Sequence, residues 1–191
     1  MPAMLLTGRT VHVSGDDGTL ADALAARGAE IVRDDGRVDA FVHVVTDPDG
    51  LAERPVSAMD PEEWERRCDA VLRDAIDAAQ DAHRRMHEQG GRLVFVVPSF
   101  GLTGAAGLTP IATAAEGVRA MAKTAARQWG ALGITVGCVA RRVAGPVVAI
   151  SSTDEPSDDD VADVVAVLAT EQLHTATGAT LVLDGGTVLV P

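Results

Sequence analysis

Apolar residues in this chain gather into short unbroken runs, separated by stretches where they recur every third or fourth position. Leu93 to Val97 and Ile134 to Val139 are runs of apolar, mostly β-branched residues, the pattern of strands buried on both faces. Arg9 to Ser14 reads as a first strand, Ala29 to Val32 as the start of a second, and Ala40 to Val45 as another. The intervening segments have helical spacing. Thr19 to Gly28 reads as a helix stopped by Gly28. Asp60-Pro61-Glu62-Glu63 is a helix start, with an N-cap Asp, Pro at the first helical position and acids in the first turn. That helix is expected to run to about Gln89, where Gly90-Gly91 ends it. Trp64, Cys68, Val71, Leu72, Ala75, Ile76, Ala79, His83 and Met86 give it one long apolar face. Ile111 to Leu132 reads as a helix of small residues. Ser157 to Asp160 caps a further helix through Thr170, with Val161, Val164, Val165 and Leu168 inward.

Composition narrows the picture. A chain of 191 residues reads as one domain spanning 1–191, long enough for a single core. With 47% hydrophobic and 3% aromatic residues, that core is made of Ala, Val and Leu. A net charge of −12 argues against phosphate-backbone binding, which rests on clustered Lys and Arg, so no nucleic-acid partner is expected. Cys68 and Cys138 fall in a predicted helix and a predicted buried strand, which points to packing rather than a disulfide or a zinc site. The first residues lack a basic then apolar leader, and no apolar run approaches the ~18 residues of a membrane span. A soluble, cytoplasmic protein is the expectation.

The stretch from Gly90 to Ala140 resembles the C-terminal half of the short-chain dehydrogenase/reductase (SDR) core, as in β-ketoacyl reductases. A buried strand, a Gly-rich loop from Ser99 to Gly107, a small-residue helix and a second buried strand follow in order, and Gly101, Gly104, Gly117, Val118 and Lys123 fit the family's spacing. Leu24-Ala25-Ala26-Arg27-Gly28-Ala29 matches the end of the family's first helix. Thr177 to Gly186 matches its last strand and Asp-Gly-Gly ending. The resemblance implies an α/β fold, a trimmed Rossmann-like three-layer sandwich with a mostly parallel sheet and helices on both faces. It implies NAD(P) as cofactor and a catalytic set of Asn, Ser, Tyr and Lys.

The departures from that pattern are as ordered as the matches. Val71 stands at the Asn position, Pro98 at the Ser, Ile111 at the Tyr and Ala115 at the Lys; the chain contains no Tyr at all. In the first loop, the family's Thr-Gly-x-x-x-Gly-x-Gly is reduced to the remnant Ser14, Gly15 and Gly18. Asp16 and Asp17 stand where backbone N–H groups would meet a pyrophosphate. The family's segment from second strand to third helix, which forms its adenine pocket, is largely missing between about 33 and 37. Parallel neighbours need a crossover of about a dozen residues, so any second strand must be short or turn back at Asp34-Asp35-Gly36. His43-Val44-Val45-Thr46 replaces the family's Asn-Asn-Ala-Gly, and Arg141-Arg142 replaces its Pro-Gly. The loop from Ala144 to Ser157 occupies the place of the family's substrate lid.

Other constellations are weaker. His83 and His87 have the spacing of a metal pair but no evident third ligand, so a solvated or interface face is the reading and no metal is expected. His43, near the end of a central strand, reads as a satisfied buried histidine or a catalytic one. Ser99 lacks both a Gly-x-Ser-x-Gly elbow and an evident Ser–His–Asp order. Arg141-Arg142 suits a salt bridge or a ligand's carboxylate or phosphate. The first functional expectation is therefore a catalytically degenerate SDR-like subunit that binds no cofactor. It would assemble with itself or with an active SDR through helices 61–89 and 111–132. The alternative is a cofactor-independent cyclase, isomerase or hydrolase acting on a small acyl or polyketide-like substrate, in a pocket near His43, Asp47, Ser99 and Arg141. A residual NAD(P)H-dependent oxidoreductase is the third.

Overall fold

The computed structural model describes residues 4–15, 18–143 and 156–188. Its elements run β1 (Thr10–Ser14), α1 (Thr19–Ala25), β2 (Glu30–Ile31), β3 (Ala40–Val44), α2 (Pro61–Trp64), α3 (Ala70–Met86), β4 (Gly91–Pro98), α4 (Thr109–Trp129), β5 (Ile134–Arg141), α5 (Asp158–Leu168) and β6 (Thr180–Leu183). The strands form one sheet in the order β2-β1-β3-β4-β5-β6, and every pairing is parallel. This is the expected Rossmann-like α/β architecture.

Alternation along each strand divides the core in two. Val11, Val42, Val94, Val96 and Val139 face α1 and α5. Phe41, Leu93, Phe95, Val97, Val136 and Cys138 face α3 and α4. Burying a side chain such as Phe95, which is 0% exposed, stabilises the fold by about 1.5–3 kcal/mol. The layer of α1 and α5 is pinned by Arg27. Its guanidinium reaches Asp163 at 2.6 Å and Asp159 at 2.9 Å.

The shortened link is accommodated because β2 is short. It pairs with β1 only at Thr10↔Glu30 and Val11↔Ile31, so the chain has little distance to retrace before β3 starts at Val11↔Ala40. The return segment crosses β1 on the α3 side. There the Val32 carbonyl meets His12 Nδ1 at 3.0 Å, and the Gly36 carbonyl accepts from Arg85 Nε at 2.6 Å.

Several boundaries differ from the periodicity. The long helix from Asp60 carries a π-helical turn at Glu65–Asp69 and ends at Met86, not Gln89. Arg67 and Cys68 in that turn, and Glu63 just before it, are all buried. Its N-terminus is as expected, with the Asp60 carboxylate accepting from the Glu63 N–H at 2.8 Å. The first helix stops at Ala25, and Gly28 lies in the following turn at φ 91°. The small-residue helix begins at Thr109, because Pro110 is tolerated in its first turn, and closes with a 3-10 turn at Gly130–Leu132. A reciprocal cap between Ser157 and Asp160 opens α5, which ends at Leu168; Thr170 caps the next turn instead. Val164 is half-buried, and Ala162 and Ala166 take the inward positions beside Val161 and Val165. Asp16, Asp17 and most of the expected lid, 144–155, lie outside the described residues.

Candidate functional site

Open α/β sheets bind ligands beyond the carboxyl ends of their strands. A cavity of about 250 Å³ lies there, over the ends of β3, β4 and β5. Val44, Val45, Val96, Val97, Pro98 and Val143 supply apolar walls, and Asp47 and Arg141 are its charged groups. Leu51 also lines it, with φ 62°, the one non-glycine residue with positive φ among those described.

Of the expected pocket residues, then, Asp47 and Arg141 come together, and His43 and Ser99 do not join them. Asp47 is already engaged. Its carboxylate accepts from Arg67 Nη2 at 2.6 Å and Nε at 3.2 Å, and Arg67 Nη1 donates to Glu63 at 2.9 Å. The Asp47 hydrogen bond holds Arg67 charged, raising it above its ordinary range against the cost of burial. Arg141 donates through Nη1 to Asp158 at 2.8 Å, while its Nε is buried with no hydrogen-bond partner among the described residues. Ser99 is buried beneath the turn that follows β4.

The positions where the resemblance places catalytic groups are packed with carbon. Ile111 and Ala115 are 0% exposed on the first turns of α4, Val71 is buried on α3, and Pro98 ends β4. A Cβ added at Gly101 would stand 3.0 Å from Ala115 Cβ, so the 115 position has no room for a long side chain toward that loop. In the remnant loop, Gly15 has φ 72°, and a Cβ there would lie 2.1 Å from the Val44 carbonyl oxygen. Gly18, at φ 111°, precedes α1.

His43 is the residue whose surroundings the sequence concealed. Its side chain is buried on the α3 face of the sheet, edge-on to Phe95 with ring centroids 6.0 Å apart. Nδ1 lies 2.9 Å from Ser14 Oγ, and Nε2 lies 3.7 Å from Asp74 Oδ2. Burial pushes the imidazole below its ordinary value, with the Asp74 carboxylate opposing. A Ser–His–Asp line therefore does exist here, built on Ser14 rather than Ser99. Ser14 and Asp74 line a second cavity of about 420 Å³, with His12, Phe41, Asp77, Asp81 and Arg84. Sequence reading missed it because the strands' register brings Ser14 opposite His43; the available signal was that both end neighbouring strands.

The remaining candidates are ordinary. The rings of His83 and His87 stack at 5.8 Å, with Trp129 5.1 Å from His83. Burial pushes the Cys68 thiol up to about 11 and Cys138 up to about 12, as packed, inert thiols. No helix among the described residues is long and apolar enough to cross a membrane.

Residues 7–155 match the family model described as Enoyl-(Acyl carrier protein) reductase. The chain is 31% identical over 144 residues to a (3R)-3-hydroxyacyl-CoA dehydrogenase of Mus musculus, covering 67% of this chain and 56% of that protein. It is 26% identical over 194 residues to a short-chain reductase of Streptomyces niveus, covering 90% and 72%. It is 27% identical over 182 residues to a 3-oxoacyl-[acyl-carrier-protein] reductase of Staphylococcus aureus, covering 87% and 72%. The chain thus spans little more than half the length of the mouse protein.

Proposed function

The chain belongs to the short-chain dehydrogenase/reductase family, and from that premise we propose that it is a member without the family's redox chemistry. In this reading it serves as a subunit that assembles with a second copy or with an active family member. The observation that carries the reading is the replacement of all the family's catalytic positions by Val71, Pro98, Ile111 and Ala115, packed where proton donors would stand. None of these side chains can protonate a carbonyl oxygen.

The residues present also do not fit a dinucleotide. The cavity over β3 to β5 is about 250 Å³, below the ~300–1,000 Å³ of sites for drug-sized ligands, and the cavity of about 420 Å³ beside Ser14 is rimmed by Asp74, Asp77 and Asp81, which disfavour a pyrophosphate. Nor does the run 33–37 leave a segment long enough to wall an adenine pocket. The reductase and dehydrogenase names of the relatives describe those proteins, and a residual NAD(P)H-dependent activity is the reading these features argue against.

Support for assembly comes from the outer surfaces of α3 and α4. Ile76 is 43% exposed there and Leu72 is half-buried, beside a helix with Ala112, Gly117 and Ala120. Leu72 packs so closely that a Cβ on Gly117 would lie 2.7 Å from its Cδ2. The family's manner of covering such a face is a four-helix contact across a two-fold axis.

Titration of NADH and NADPH, followed by calorimetry and nicotinamide fluorescence, tests the reading. No saturable binding at sub-millimolar cofactor is expected. A micromolar dissociation constant for either would overturn it.

A further inference from the structure

We propose that Ser14, His43 and Asp74 form a second, cofactor-free site: a serine nucleophile, its general base and a positioning carboxylate, for cleaving short acyl esters that carry no anionic group. The site shares no lining residue with the cavity over β3 to β5.

Register creates it. Ser14 and His43 are paired at the carboxyl ends of β1 and β3, so both side chains project from the same face. Ser14 Oγ is 2.9 Å from His43 Nδ1, within the reach a base needs to take its proton. The hydroxyl is half-buried and lines the cavity of about 420 Å³, so a substrate entering there meets the nucleophile. The imidazole is buried and wedged against Phe95, and burial favours the neutral form that can act as a base. Asp74, exposed on α3, stands 3.7 Å from the other ring nitrogen, near enough to stabilise the imidazolium once it forms. Triad hydrogen bonds are often longer without substrate.

The cavity defines the substrate class. Phe41 and Ala78 give an apolar floor for a short acyl chain. Asp74, Asp77 and Asp81 give an acidic rim, and Arg84, its exposed cation, is paired to Asp81 at 2.8 Å. Carboxylate- or phosphate-bearing esters are disfavoured there. In the step itself, Ser14 Oγ bonds to the ester carbonyl carbon as its proton passes to His43. The carbon–alkoxide bond then breaks, and the alcohol leaves with that proton. Water, with His43 again as base, releases the acid and restores the hydroxyl.

An uncharged alkyl fluorophosphonate is the probe: Oγ bonds to phosphorus, fluoride leaves and His43 takes the proton. Intact mass and peptide mapping of the wild-type protein should show one adduct, on Ser14. Ser14→Ala should abolish it, and the exposed control Ser57→Ala should leave it unchanged. His43→Asn, which keeps a hydrogen-bonding group beside Ser14, should slow labelling by about a hundredfold or more. Thermal unfolding confirms that each variant is folded. Among the described residues, Asp74 is the charged group that faces His43, and Asp77, Asp81 and Arg84 on α3, with His12 on β1, line the same cavity. Removing one negative charge by Asp74→Asn should move the midpoint of the pH–rate curve downward. An unlabelled Ser14 in the folded wild-type protein, or labelling indifferent to His43→Asn, would overturn the proposal. An unmoved midpoint would remove Asp74 from it.

Discussion

The Arg67 guanidinium and the Asp47 carboxylate lie 2.6 Å apart, at 0% and 1% side-chain exposure. Arg67 comes from the π-helical turn before α3, and Asp47 from the loop after β3. The pair therefore ties that loop to the helix layer, and its Asp47 lines the cavity over β3 to β5.

Breaking this pair from one side strands a buried charge. Arg67→Met is expected to destabilise the protein by about 3–5 kcal/mol, whereas Arg67→Met with Asp47→Leu and Glu63→Gln, which removes both carboxylates that Arg67 neutralises, should recover much of the loss, since apolar groups often replace a buried ion pair without cost. Urea denaturation of the single and the triple variant measures the difference. Equal stability of Arg67→Met and the wild-type protein would contradict the account.

Restoring the family's catalytic groups should not restore reduction. Ile111→Tyr with Ala115→Lys rebuilds a proton donor but supplies no place for a hydride donor. Both positions are 0% exposed, so overpacking alone should cost about 1–3 kcal/mol. Burying the lysine's charge adds to that. The check is NADPH oxidation with a generic β-ketoacyl substrate, together with a thermal melt. Appreciable turnover would contradict the expectation.

Assembly through α3 and α4 calls for a probe outside the monomer's own core. Ala75 and Ala114, small residues on these two helices, are 0% exposed within the single chain. Ala75→Glu or Ala114→Arg should therefore unfold the protein rather than dissociate it. Ile76, 43% exposed, is the informative position. Ile76→Glu should shift sedimentation of the isolated protein toward monomer while changing monomer stability by no more than about 0.5 kcal/mol. A wild-type protein that already sediments as a well-folded monomer would eliminate the self-assembled form.

Acidification should destabilise the fold. His43 and His12 are both pushed below 6.5, in each case mainly by burial; the Arg85 charge adds to the effect at His12, and Asp74 opposes it at His43. Above 6.5 both are neutral in folded and unfolded chains, and neither changes stability. As pH falls through 6.5 the unfolded chain takes up protons that the folded protein resists, so stability declines toward the depressed folded values. Melting temperatures between about pH 7.5 and pH 5.5 should fall, and His43→Asn should flatten the slope. An identical slope in that variant would remove His43 from the effect.

What the sequence by itself determined was local. Unbroken apolar runs located the strands, three- and four-residue spacing located the helices, and Asp60 and Ser157 announced their caps, because these depend on neighbours within a few residues. The expectation that Val71, Pro98, Ile111 and Ala115 stand at the family's catalytic positions likewise came from order along the chain, the last three by spacing from the glycines of their loop and helix. Tertiary structure decided which polar groups meet. His43 was placed with Asp47, Ser99 and Arg141 because all lie near strand ends. The strand's alternation turns it instead to the α3 face, where parallel register sets Ser14 beside it and α3 presents Asp74. The burial of Arg67 and Cys68 side by side falls in a π-helical turn, a local widening that a constant helical period does not announce. Side-chain partners across 20 or 29 residues are chosen by register and rotation of whole elements, and a shift of one residue reverses the face to which each strand side chain points.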